Sequence, residues 1–280
     1  MPCSFLFVPG DRPERFAKAL ASGAGQIVID LEDAVSAEAK DFARDALASW
    51  LSNAPPEAAG RVVVRVNGAN TPWFEADCAI VAAGPGVTAV MMPKADSSSP
   101  WEALLDKPVL ALIETAAGID DLRSVARATN VRRLVFGSID LQHDLGIDGD
   151  GEELLFFRSQ LVLTSRLAGL PPPVDGVCLA LADTQALSAD VRRARRLGFG
   201  GKLCIHPAQV ATVEAGFAPS AAEMNWATRV LEAAAQASGA AVALDGQMID
   251  RPVILRARRL LGLVDHEGSP ASDRHAPKRA

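Results

Sequence analysis

Two apolar runs in this 280-residue chain each end in a carboxylate: Val109-Leu110-Ala111-Leu112-Ile113 leads into Glu114, and Leu134-Val135-Phe136-Gly137-Ser138-Ile139 leads into Asp140. A short buried strand that ends in an acid delivers that acid to the sheet edge, where barrel enzymes gather their catalytic groups. A helix-patterned segment separates the two runs, as in one strand-plus-helix unit. On successive parallel strands both carboxylates emerge at one edge, and hard oxygen ligands there suit a divalent cation. Other apolar runs end in charge as well: one yields Asp30, Glu32 and Asp33, the next Arg65 and Asn67, and others Lys94, Asp175 and His206. Singly, each has the alternative role of an ion pair at a rim. Together, so many carboxylates beside an Arg and a Lys need a cation or ordered hydrogen bonds to offset their repulsion. Mg²⁺ meets that need with one or two protein carboxylates, water and substrate oxygens.

The elements that must position these groups are legible as alternation. Eight strand candidates, at residues 4–8, 26–31, 61–66, 88–92, 108–113, 133–136, 174–178 and 201–205, are separated by helix-length amphipathic segments. The clearest helix starts at Asp183, aligns Leu187, Val191, Ala194 and Leu197, and stops at Gly198; another runs from Glu152 to Ala168. Eight such repeats predict an α/β fold, a (β/α)₈ TIM barrel over residues 1–218. The doubly wound alternative lacks its fingerprint, because no GxGxxG follows the first strand. A C-terminal helical extension and lid is expected at 219–262, and a disordered tail rich in Gly, Pro, Ser and charge at 263–280.

Composition removes several classes. A net charge of −6 argues against a nucleic-acid binder, since that affinity rests on clustered Lys and Arg. Cys3, Cys78, Cys178 and Cys204 are scattered without a CxxC pair, so neither a zinc knuckle nor a disulfide framework is expected. No run reaches the ~20 apolar residues of a membrane span, and the stretch Phe5-Leu6-Phe7-Val8 is too short for a signal peptide. The expectation is a soluble, cytoplasmic protein with a small-molecule substrate. Arg192, Arg193, Arg195 and Arg196 read as the solvated face of one helix, and Asp148-Gly-Asp150-Gly-Glu152 as an acidic helix cap. Arg12, Arg15 and Lys18, just after the first strand, are candidates for phosphate contacts or ordinary helix-face charge, and His206 for an acid/base or a strand-end role.

In order along the chain stand Leu6-Phe7-Val8-Pro9-Gly10, Asp30-Leu31-Glu32-Asp33-Ala34-Val35, Arg65-Val66-Asn67, Pro93-Lys94, Ile113-Glu114-Thr115, Gly137-Ser138-Ile139-Asp140, Gly198-Phe199 with Gly201-Lys202, Ile205-His206-Pro207 and Met248-Ile249-Asp250. This series resembles the citrate lyase β-subunit, malyl-CoA lyase and citramalyl-CoA lyase family, within the HpcH/HpaI aldolase superfamily. The resemblance covers residues 4 to about 260. It departs at Cys3, where family members commonly carry an arginine.

The resemblance implies a Mg²⁺-dependent carbon-carbon lyase, with Mn²⁺ able to substitute, and coenzyme A carried by the substrate. Glu114 and Asp140 match the metal ligands, and Arg65 the arginine that steadies the 2-oxo acid half and the developing oxyanion. Glu32 and Asp33 match the acidic motif that organises metal waters and neighbouring side chains. Apart from the resemblance, the strand-exit residues Asn67, Lys94 and His206 are candidates for substrate binding, and Arg12, Arg15 and Lys18, from their place after the first strand, for the coenzyme A phosphates. Asp250 matches the acid/base of a lid that covers a neighbouring subunit's site, which implies a homo-oligomer, a trimer or hexamer. The expected reaction cleaves (S)-citramalyl-CoA or malyl-CoA to acetyl-CoA and a 2-oxo acid. A citrate lyase β-subunit acting on a citryl thioester, an acyl-CoA thioesterase on the same site, and a catalytically silent barrel scaffold are the alternatives.

Overall fold

Strand parity builds a barrel. In the computed structural model, which describes residues 1–104, 107–236 and 242–263, eight parallel strands pair each with the next: β1 (Ser4–Pro9), β2 (Gln26–Asp30), β3 (Val62–Arg65), β4 (Val87–Met92), β5 (Val109–Ile113), β6 (Val131–Phe136), β7 (Val174–Asp175) and β8 (Gly201–Cys204). Pairing of β8 with β1, Ser4 opposite Lys202, closes the sheet. All eight expected strands form, and closure excludes the open doubly wound sheet. Phe5, Val28, Val63, Ala89, Met91, Leu110, Leu112, Val135, Val174 and Leu203 fill the interior as one cluster. Their neighbours one residue on, such as Leu6, Ile29, Val64, Val90 and Ala111, face outward into the larger core beneath the helices.

The outer helices are α1 (Phe16–Ala21), α2 (Lys40–Ser52), α3 (Phe74–Ala83), α4 (Ala116–Asp120), α5 (Leu122–Val125), α6 (Ser138–Leu145), α7 (Leu155–Leu167), α8 (Thr184–Leu197) and α9 (Pro207–Phe217). Among the described residues the β4–β5 connection carries a 3₁₀ turn, Trp101–Leu104, and no α-helix. In α8 the expected signals act as written: Asp183 accepts from the Gln185 and Ala186 amides, Leu187, Val191 and Ala194 are buried, and Gly198 (φ 103°) ends the helix.

The chain divides into two compact units, Met1–Phe217 and Ala218–Ala280. The second holds α10 (Ala221–Gln236), a hairpin of β9 (Val242–Leu244) with β10 (Gln247–Ile249), and α11 (Arg251–Leu260), around Ala227, Val230, Ile249 and Ala257. Residues 264–280, most of the expected disordered tail, lie outside the described residues. Among the described residues no helix is long and apolar enough to cross a membrane.

Three charge assignments from the sequence need correction. Asp175 does not join the other strand-end acids, because Val174 takes the inward position and Asp175 faces out toward α7 and α8. There it binds Arg158 (2.9 Å) and Lys202 (3.2 Å). Lys202 also binds Asp190 (2.6 Å), Asp190 binds Arg193, Arg193 binds Asp150 (2.8 Å), and Asp150 returns to Arg158 (2.6 Å). Asp150 is thus no simple helix cap, and Arg193 leaves the solvated face expected of it. The result is a closed ring of six alternating charges. Burial raises the Asp175 pKa, but Lys202 and Arg158 outweigh it and hold the carboxyl below its ordinary value.

The ring stitches the barrel where backbone pairing is thinnest. β7 meets β6 at a single register pair and β8 at two. Lys202, fully buried, also donates to the Gly176 carbonyl (2.8 Å) just beyond β7. Removing one member of a buried ion pair strands its partners, at a cost of about 3–5 kcal/mol. Lys202→Met should lower the denaturant-derived stability of the barrel by that order, and a loss below about 1 kcal/mol would contradict this role for the ring.

Candidate active site

Asp30 and Arg65 are register neighbours at the ends of β2 and β3, both on the inward parity. Their side chains meet as a two-point pair, Arg65 Nε and Nη2 donating to Asp30 Oδ1 (2.8 Å) and Oδ2 (2.6 Å). The third guanidinium nitrogen, Nη1, lies 3.0 Å from Glu32 Oε2 and 3.5 Å from Asp33 Oδ2. The guanidinium also covers the Phe7 ring, 4.8 Å from its centroid. Burial opposes the charge of Arg65, yet Asp30 and Glu32 outweigh it and keep the group firmly protonated. Asp30 in turn accepts the backbone amides of Glu32 (2.9 Å) and Ala34 (3.1 Å), which fixes the turn after β2.

Lys94 joins this group to Glu114. Its Nζ donates to Glu32 Oε1 (2.6 Å) and its backbone amide to Glu114 Oε1 (2.9 Å). Lys94 sits in the left-handed region (φ 49°), sparsely occupied by residues other than glycine. Gly137 is required for a different reason: a Cβ there would stand 2.4 Å from Glu114 Cβ and 2.6 Å from its Oε2. Asp140, read from the sequence as ending a strand, lies instead in the first turn of α6.

Buried oxygens without partners converge here. Glu114 Oε2 and Ser138 Oγ have no hydrogen-bond partner, and Glu32 Oε2 has only its ion pair with Arg65. A buried acceptor left unpaired is costly unless a ligand completes it. Burial first, then repulsion from Glu32 and Asp140, pushes the Glu114 pKa up to about 8, and burial likewise raises that of Glu32. These are donors for a hard divalent cation such as Mg²⁺. Among the described residues no group of three or more His, Cys, Asp or Glu side chains is arranged to hold a metal, but Mg²⁺ asks for only one or two carboxylates, with water and substrate oxygens in the other positions.

The cavity holds about 350 Å³ and is lined by Asp30, Asp33, Arg65, Glu114 and Asp140 over an apolar surface that includes Phe7, Leu112, Val177, Leu203 and Ile205. The remaining sequence candidates each have local partners or exposed positions. Asn67 is buried, and both its backbone and side-chain amides donate to Asp77 (2.8 and 2.6 Å), which ties it to α3. His206 Nδ1 accepts the Ala208 amide (3.2 Å) at the start of α9. Arg12, Arg15 and Lys18 are exposed after β1, the first two within 4 Å of Asp11 and Glu14. Asp250, in the second unit, caps α11 by accepting the Val253 amide (3.1 Å). Cys3 precedes β1 at the opposite barrel end and donates to Glu214 (3.0 Å), so its departure from arginine does not touch this site.

Sequence reading missed Asp77, which anchors Asn67 and also meets Arg44 (3.3 Å). Its signal is an acid within the apolar helix Phe74–Ala83. It also missed Gln209, which accepts the Ile205 amide (2.9 Å) and donates to the Cys178 carbonyl (2.8 Å), joining the exits of β7 and β8.

The profile of the HpcH/HpaI aldolase/citrate lyase family matches residues 3–207. The chain belongs to this family. Among its relatives, a citrate lyase subunit beta-like protein of Deinococcus radiodurans is 39% identical over 277 residues, covering 92% of this chain and 95% of that one. A (3S)-malyl-CoA thioesterase of Cereibacter sphaeroides is 34% identical over 268 residues, with 92% and 93% covered. The crystal structure of Mycobacterium tuberculosis CitE in complex with magnesium, acetoacetate and coenzyme A superposes with a TM-score of 0.83 at 34% identity, covering 94% of this chain and 97% of that one. The family assignment agrees with the closed parallel barrel and with the ordered motifs of the sequence.

If Glu114 ligates a cation, its raised pKa sets a pH dependence for binding. Below about 8 the carboxyl must lose its proton before it ligates, so apparent Mg²⁺ affinity should rise with pH by up to tenfold per unit and level off above about 8. Calorimetry in buffers of different ionisation enthalpy should find about one proton released at pH 6.5 and almost none at pH 9. A flat profile would contradict the shift, and Glu114→Gln should abolish both binding and its pH dependence.

Proposed function

We propose that the chain is a Mg²⁺-dependent lyase that cleaves a β-hydroxyacyl-CoA of the citramalyl-CoA or malyl-CoA type into acetyl-CoA and a 2-oxo acid. The observation that carries this reading is Glu114: a buried carboxylate with one oxygen unpaired, in a cavity it lines together with Asp140, Arg65, Asp30 and Asp33 beside apolar side chains. The M. tuberculosis complex with magnesium, acetoacetate and coenzyme A supports the cofactor and the thioester.

The reaction removes the proton of the substrate hydroxyl, breaks the bond between the carbinol carbon and the thioester α-carbon, and returns a proton to the resulting enolate. Mg²⁺, held by Glu114 and Asp140, would lower the hydroxyl pKa and fix the substrate's orientation. Arg65 supplies fixed positive charge beside the oxygen that becomes the 2-oxo group, and its clamp on Asp30 means little reorganisation during the reaction. Glu32 and Asp33 hold Arg65 and are the proposed partners of metal-bound water. Asp250, on the strength of its Met-Ile-Asp motif, is the proposed acid/base at the acetyl carbon, carried by a lid in a homotrimer or larger oligomer. Arg12, Arg15 and Lys18 are proposed for the coenzyme A phosphates.

The lining also bears on the 2-oxo acid. Among the described residues Arg65 is the one cationic side chain lining the cavity, and its guanidinium already faces three carboxylates. Among the described residues, a second substrate carboxylate, as in a citryl thioester, would meet no further cationic side chain on that wall. Phe7, Leu112 and Leu203 instead accept a hydrogen or methyl group, which favours glyoxylate or pyruvate as product. The relatives named as (3S)-malyl-CoA thioesterases favour one second reading, in which water captures the thioester on the same site.

Purified protein with Mg²⁺ and citramalyl-CoA or malyl-CoA should form acetyl-CoA and the 2-oxo acid in equal amounts. Free CoA without acetyl-CoA would replace lyase by hydrolase. Asp250→Asn keeps the α11 cap, since Asn and Asp cap equally well, yet should slow turnover by roughly 10²–10⁴-fold at unchanged Mg²⁺ affinity. A wild-type rate in that variant would remove Asp250 from the chemistry.

A further inference from the structure

The turn after β2 carries Glu32 and Asp33, and three separate grips hold it. Arg65 binds its side chains from the barrel interior, and the Asp30 carboxylate accepts its Glu32 and Ala34 amides. Its carbonyls are held from the other side by a residue with no assigned role. Lys40, in the first turn of α2, is buried (6% exposed) and donates through Nζ to the carbonyls of both Leu31 and Glu32, each at 2.7 Å. The Trp73 ring lies 5.2 Å from the same nitrogen. An ammonium has three donors; two meet carbonyls and an aromatic face lies near the group. Among the described residues no carboxylate lies within ion-pairing distance of Lys40, although Asp30, Glu32, Asp77 and Asp33 act on it through space. Burial costs the ammonium its hydration, and its pKa is lowered despite those acids.

A buried cation bonded to two consecutive carbonyls is an expensive way to end a helix, and Lys40 is no ordinary cap: it stands at the start of α2, where the dipole disfavours positive charge. What the arrangement fixes is the path of residues 31–32. We propose that Lys40 is a positioning residue for the reaction, holding the turn so that Glu32 stays on Arg65 and Lys94 and Arg65 Nη1 stays on the cavity side. This rests on the lyase reading of the site. Without Lys40, two carbonyls lose their partners, the turn relaxes, and the charge beside the reacting oxygen shifts while the cavity walls remain.

Lys40→Met keeps the length of the side chain and removes its donors and charge; Lys40→Gln keeps one donor and covers the case in which the first variant does not fold. Both should retain the barrel by circular dichroism. Turnover of the thioester should fall about 100-fold in Lys40→Met, the scale of a displacement near 1 Å, and less in Lys40→Gln, with KM within about threefold of wild type. Hydrogen exchange of a peptide spanning residues 31–36 should quicken, and peptides of β5 and β6 should not change. Leu47→Ala, a buried apolar truncation in the same helix, should lower the melting temperature without altering turnover well below it. Wild-type turnover in folded Lys40 variants, or a loss matched by Leu47→Ala, would overturn the proposal. So would unchanged exchange at residues 31–36, whatever the activity. A wild type without turnover on any thioester, combined with faster exchange in the variants, would instead overturn the lyase reading and with it the catalytic purpose of the clamp.

Discussion

The acids at and after the end of β2 are arranged around one buried guanidinium. Arg65 is where β2 and β3 converge in register, and Asp30, Glu32 and Asp33 all orient toward it. A buried Arg with three acids is stable only if the acids are fixed, because an acid that drifts away leaves charge unpaired in a low dielectric. That requirement explains why Asp30 also ties down the following turn and why Glu32 is bridged onward to Lys94. Lys94 hands the chain of contacts to Glu114 through its backbone amide. Glu114 is where the network stops: one oxygen is bonded and the other faces the cavity. The acid cluster is thus neutralised on one flank and under-neutralised on the other, and the second flank is where a cation and an anionic substrate are wanted.

Two separate charge systems serve two ends. The interior network lines the cavity with charge, and the outward ring of Arg158, Asp175, Lys202, Asp190, Arg193 and Asp150 secures the seam around a two-residue β7. They differ by one residue of parity. Asp30, Arg65 and Glu114 take inward positions at strand ends, whereas Asp175 and Lys202 take outward ones. In a parallel barrel a shift of one position exchanges active site for scaffold.

That parity also marks the limit of what was legible. Strand existence, the closed barrel, the boundaries of α8 and the clustering of Glu114 with Arg65 and Glu32 follow from apolar runs and their charged ends. The misreading of Asp175 came from the run Val174–Cys178, which looks like a five-residue strand and pairs over only two; a longer strand would have declared its faces. Arg193 was hidden among four arginines of one helix, since sequence does not say which of them turns toward a buried acid. Lys40 gave no signal because its partners are carbonyls, which every residue has. Asp250 followed by Arg251-Pro252 is a helix-start signature, and its capping role and its proposed proton-transfer role draw on the same carboxylate.

The acid cluster around Arg65 is proposed to leave one cation position, on Glu114 and Asp140. Anomalous diffraction from crystals soaked in Mn²⁺ tests it most directly. The expected result is one strong peak within bonding distance of both carboxylates, with Arg65 still paired to Asp30 and Glu32. A peak that replaces Arg65 on Asp30 and Glu32, or none in the cavity at saturating Mn²⁺, would contradict it.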